Sequence, residues 1–96
     1  MPEKISAVNE GERIEYMLLS DIKTDEENNP HSVYGVRVKQ TKPNKAAPET
    51  AEARDLTFNK ERMLAFMEKM ARNMASPEIL AELAEDFVVE ENTVNV

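Results

Sequence analysis

The chain has 96 residues, no cysteine and a formal net charge of −7 at pH 7. That length allows one domain, and a domain of this size buries only roughly 60 to 65 % of its unfolded surface, so association with a second copy would help it. The charge argues against nucleic-acid backbones and anionic membranes, which are recognised from a positive surface, and the missing cysteines exclude a disulfide framework, a thiol nucleophile and a thiolate metal site.

Residues 1–11 carry only Ile5, Ala7 and Val8 among polar positions and are expected as a flexible N-terminal arm, with a short edge strand as the alternative. Met1-Pro2-Glu3-Lys4-Ile5 lacks the long apolar run of a signal peptide, and no run approaches the roughly 20 apolar residues of a membrane span, so the expected location is cytoplasmic.

From Glu12 the pattern alternates. Ile14, Tyr16 and Leu18 share one face and Glu15, Met17 and Leu19 the other, which predicts a strand whose second half is apolar on both sides. Residues 25–31 are rich in turn formers and read as the loop of a β-hairpin. The return strand spans 33–41, with Tyr34, Val36 and Val38 on one face and Val33, Gly35, Arg37 and Lys39 on the other. Gly35 leaves a gap there that suggests a bulge or the close approach of another segment. Pro43 and Pro48 bracket a loop, and 51–56 is expected as a short third strand.

Residues 56–87 hold the clearest signals, two amphipathic segments that predict a helical hairpin. Asn59 suits an N-cap, with Phe58 before it able to staple onto Met63. Met63, Phe66, Met67, Met70, Ala71 and Met74 fall on one arc, opposite Glu61, Arg62, Glu68, Lys69 and Arg72. Asn73 tolerates the left-handed conformation of a C-terminal cap. Ser76 then caps a second helix with Pro77 at its first position, and Ile79, Leu80, Leu83, Ala84 and Phe87 form its buried arc. A polar tail is expected over 89–96.

The second helix carries the candidate site. Glu78, Glu82 and Asp86 are spaced at i, i+4, i+8 with Glu85 beside them, and no basic residue offsets them. Like charges at that spacing disfavour a helix by roughly 0.2 to 0.5 kcal/mol per pair. The strip is either a solvated face or a docking surface for basic groups, supplied by a partner or by Arg37, Lys39, Lys42 and Lys45 of this chain. A divalent-cation site is disfavoured, because carboxylates one turn apart without a dedicated loop rarely form an oxygen cage. Four methionines on one helix arc can serve an adaptable binding surface, but at helical spacing they read first as core.

His31 is the one histidine and falls in the predicted hairpin loop, where metal binding would lack partners. Ser20, Asp21 and His31 supply the residue types of a hydrolytic triad without a nucleophile elbow or an oxyanion loop, and Gly11 and Gly35 alone cannot build a phosphate cradle. A helix-turn-helix reading would put an acidic helix against phosphates. Neither an enzyme nor a cofactor is expected.

The order of strand, hairpin loop, Tyr34-Gly35-Val36-Arg37-Val38, short strand, capped helix, Ser-Pro step and a helix ending Glu85-Asp86-Phe87 resembles a known family. That family is domain of unknown function 6514, of short Gram-positive bacterial proteins, and the likeness covers roughly 13–87. The resemblance implies an α+β architecture and brings no activity, cofactor or catalytic residue.

The expected structure is thus a single α+β domain over 12–88, an antiparallel sheet of two or three strands packed on a C-terminal helical hairpin. The Ile14/Tyr16/Leu18 and Tyr34/Val36/Val38 rows face Met63, Met67, Met70, Leu80, Leu83 and Phe87. Met17 and Leu19 on the other face motivate a homodimer or a partner covering it. The expected function is a small protein-interaction or regulatory module that uses Glu78, Glu82, Glu85 and Asp86 against a basic or neutral protein. The alternative is a small-ligand binder or enzyme subunit with its site between sheet and helices.

Overall fold

The computed structural model describes residues 4–44 and 47–94, with side chains described as far as Glu90. Four strands, β1 (Lys4–Asn9), β2 (Glu12–Thr24), β3 (Pro30–Thr41) and β4 (Glu49–Thr57), precede α1 (Lys60–Arg72), a 3-10 turn (Pro77–Ile79) and α2 (Leu80–Val94). The strands form one antiparallel sheet in the order β1-β2-β3-β4. The sheet therefore has four strands and not two or three.

The additional strand comes from the segment expected as an arm. β1 pairs with β2 from Lys4↔Met17 to Asn9↔Glu12, across a two-residue turn at Glu10 and Gly11, whose φ values of 48° and 87° match the twist of a tight hairpin. As an edge strand it covers the core with one row, Ile5 and Ala7, which is too few positions to stand out as a period. Met1, Pro2 and Glu3 of the expected arm lie outside the described residues.

In the β2–β3 loop, the Asp25 carboxylate accepts the amides of Glu27 and Asn29, each at 2.9 Å, and Asn28 takes a positive φ of 66°. Those amide bonds, with the His31 ring 2.8 Å from the same carboxylate, hold Asp25 below the usual carboxylate range.

Between β3 and β4 the register runs Val36↔Ala53 and then Tyr34↔Thr57, so β4 bulges around Asp55, which has a φ of 58°. The bulge explains Gly35. A Cβ there would stand 2.2 Å from the Ala53 carbonyl oxygen and 2.8 Å from Arg54 Cα, too close for any side chain.

Ile14, Tyr16, Val36 and Val38 of the sheet are buried against Met63, Met67, Met70, Leu80 and Phe87 of the helices, on the faces expected. The methionine arc is core. Tyr16 ties the layers together: its hydroxyl donates to the carbonyl of Ala75 at 2.7 Å and reaches that of Met70 at 3.3 Å.

Asn59 caps α1 by accepting the Arg62 amide at 3.2 Å. The end of α1 departs from expectation. Asn73 has a φ of −97°, and Met74 takes the left-handed conformation at 51°. Ala75 N–H then bonds the Met70 carbonyl and Met74 N–H that of Ala71, the two bonds of a Schellman motif, while the Asn73 side chain donates to Lys69 at 2.9 Å. Ser76 makes no side-chain cap, and Pro77 begins a 3-10 turn ahead of α2. That helix continues through the expected tail to Val94, and Asn95 and Val96 lie outside the described residues.

Candidate functional site

The two helices lie over different parts of the sheet. α1 packs across all four strands, chiefly β1, β2 and β3, and α2 on β4, so each helix meets the sheet more than it meets the other. The rings of Phe66 and Phe87 touch across the seam at a centroid distance of 4.7 Å, which joins the middles of the two helices. Around that contact the seam opens to solvent as a groove of about 520 Å³. Phe66, Ile79, Leu83 and Phe87 supply its apolar lining, Arg62 and Lys69 rim it from α1, and Asp86 and Glu90 rim it from α2.

The groove was not expected from the sequence. Ile79 and Phe66 fall on the apolar arcs of their segments, and periodicity assigns them to the core. In the fold Ile79 is 41 % exposed, because it ends a 3-10 turn whose tighter winding shifts it off the buried arc of α2.

Glu78, Glu82, Glu85 and Asp86 are all exposed. Glu78 stands on the 3-10 turn and the others on α2, so the helical run at i, i+4, i+8 is Glu82, Asp86 and Glu90. Since α2 reaches Val94, Glu85 and Asp86 sit mid-helix and do not oppose its dipole as a helix ending at Phe87 would have required.

The sheet treats its charges differently. Glu15 pairs with Lys4 at 2.7 Å and Asp55 with Lys23 at 2.9 Å. On the outer face a chain of ion pairs runs from Asp21 on β2 through Arg54 at 3.0 Å to Glu52 on β4, and on to Arg37 of β3. The hydrogen bonds from Arg37 and Arg54 hold Glu52 below the usual carboxylate range, and the Lys4 ammonium does the same for Glu15. Among the described residues Glu78, Glu82, Glu85 and Asp86 have no such cation.

Among the described residues, the basic groups expected to serve the strip lie elsewhere. Arg37 and Lys39 alternate with the buried Val36 and Val38 and so lie on the sheet face away from the helices. Lys42 follows β3 in the connection to β4, and Lys45 lies outside the described residues. On that sheet face Arg37 and Arg54 are interleaved with Glu52 and Asp21.

Ser20, Asp21 and His31 do not converge. Ser20 and Asp21 are successive residues of β2 and point to opposite faces, Asp21 binds Arg54, and His31 binds Asp25 and meets the Phe58 ring edge-on at 6.1 Å. Phe58 is 66 % exposed, and the ring contact it makes is with His31. Between sheet and helices, where a small-ligand site was the alternative, the core residues pack together, and a more polar hollow lined by Tyr34, Thr57 and Asn59 lies where β3 and β4 meet the start of α1; the seam groove is lined by residues of the helices and their connection alone.

Among the described residues no helix is long and apolar enough to cross a membrane, and no three His, Cys, Asp or Glu side chains gather as metal ligands. A sequence profile described as a family of unknown function (DUF6514) matches residues 2–90. No curated protein and no solved structure matches significantly.

Proposed function

We propose that this chain, which belongs to the DUF6514 family of unknown function, is a protein-interaction module whose docking face is the exposed side of its helical layer. One observation carries the reading: Glu15, Asp21, Glu52 and Asp55 of the sheet each have a cation of their own, whereas Glu82, Glu85 and Asp86 stand exposed beside an open apolar groove. Exposed carboxylates along one helix repel one another, and an apolar surface left open to water forgoes burial energy. A partner with basic and apolar groups relieves both.

The test is an affinity capture from a lysate of the native organism, with the wild-type chain and a Glu82→Lys, Asp86→Lys double variant run in parallel, both first shown to be folded by circular dichroism. The expected result is a protein recovered by the wild type and lost with the variant. Recovery of the same proteins by both would remove the acidic face as the docking surface and turn attention to the outer sheet face, where Met17 is 36 % exposed.

A further inference from the structure

We infer that the seam between α1 and α2 receives an amphipathic helix of the partner, lying along the groove with basic residues on its α2 side. This rests on the docking reading of α2 and adds the shape and chemistry of what docks.

The occupant follows from three properties of the groove. Its walls are helices, whose backbone groups are already paired within themselves, so an extended segment would find no edge to bond and would leave its own amides unmet. A helix brings no such requirement. Second, α1 has 13 residues, about 20 Å of wall, which accepts about three to four turns of a docked helix. Apolar side chains at i, i+3 or i+4, and i+7 would meet Ile79, Leu83 and the Phe66–Phe87 contact in turn.

Third, the rims differ in sign. Arg62 and Lys69 stand on one side and Asp86 and Glu90 on the other, with Glu82 one turn before Asp86. The docked helix is therefore basic along the α2 flank and acidic or neutral along the α1 flank, which also sets its direction. A second copy of this chain does not fit: each copy carries −7, its α2 has no basic residue, and the apolar arc of its basic helix, α1, is spent on Met63, Met67 and Met70 in the core.

The experiment is a selection from a displayed library of 18-residue peptides, helical in design and randomised in pattern, on the full-length chain. Each enriched peptide is then measured against wild type, against Ile79→Glu, which puts a charge into the groove at an exposed position, and against Glu82→Lys, Asp86→Lys. The expected peptides carry the apolar stripe with Lys or Arg on one flank, and each variant weakens them by about tenfold or more. Basic peptides indifferent to Ile79→Glu would overturn the groove and leave the acidic docking face standing. Apolar peptides that Ile79→Glu weakens but the charge variant does not would overturn both the basic flank and the reading of α2. No enrichment over an unrelated acidic protein would overturn the inference.

Discussion

At the scale of single residues, Tyr16 and Gly35 decide whether the layers meet as they do. The Tyr16 side chain is fully buried, and burial pushes its phenol from the ordinary 10.0 up to about 12. Because the folded state holds the proton more tightly, the stabilisation is complete below pH 10 and is lost as pH rises through 12. Tyr16→Phe leaves the buried Ala75 carbonyl without its 2.7 Å donor and should cost about 1 to 3 kcal/mol in urea denaturation at pH 7. The gap between wild type and variant should narrow in the same measurement as the pH climbs past 10. Gly35→Ala meets backbone at 2.2 Å, and the loss should reach about 3 kcal/mol, the upper range for overpacking, read as a lowered midpoint in thermal denaturation. The gap that Gly35 leaves was visible in the sequence. That β4 would fill it was not, because the bulge depends on Asp55 taking a left-handed backbone for which aspartate gives only a weak signal.

Among the elements, the two helices were the more legible, since burial on one face of a helix imposes a period that a long segment displays many times. Met63, Met67 and Met70 are buried as that period requires, and Asn59 caps where its side chain predicts, so Asn59→Ala should cost about 1 kcal/mol in chemical denaturation. The ends were harder to read. Helix termini are settled by which residue takes the left-handed turn, and here Met74 takes it in spite of its side chain, ahead of an Ala75 that is buried and whose carbonyl accepts from the helix-facing Tyr16 of the sheet. Strand β1 was ambiguous for the reason common to short edge strands, although Gly11 at the tip of a two-residue turn was the available cue. The acidic run of α2 has its own consequence. Asp86→Lys converts the i,i+4 relations to Glu82 and Glu90 from repulsive to attractive, so it should stabilise the fold by roughly 1 to 2 kcal/mol, seen as a higher melting temperature by circular dichroism. A variant that binds less while melting higher would separate the docking role from stability.

For the molecule as a whole, one core joins the layers, from Ile14 and Val38 in the sheet to Leu80 and Phe87 in α2, so neither layer keeps a core of its own when the other leaves. The helical signal at 222 nm and the tyrosine fluorescence should therefore change together in a single transition, and two separated midpoints would show that the helices undock first. The candidate site was legible at this scale only in part. The acidic helix face is written in the residue types, whereas the groove beside it arises from how far apart the sheet holds α1 and α2, a distance that no local pattern encodes. The two margins of the sheet also differ in kind. β4 is bent by its bulge at Asp55, while β1 runs from Lys4 to Asn9 with no left-handed residue to interrupt it. The β1 margin is thus the more regular template for an added strand, and the β4 margin the less regular one. Two copies joined antiparallel through β1 would present a bulged β4 at each end of the combined sheet, an edge less suited to further strand addition than the β1 margin they had used.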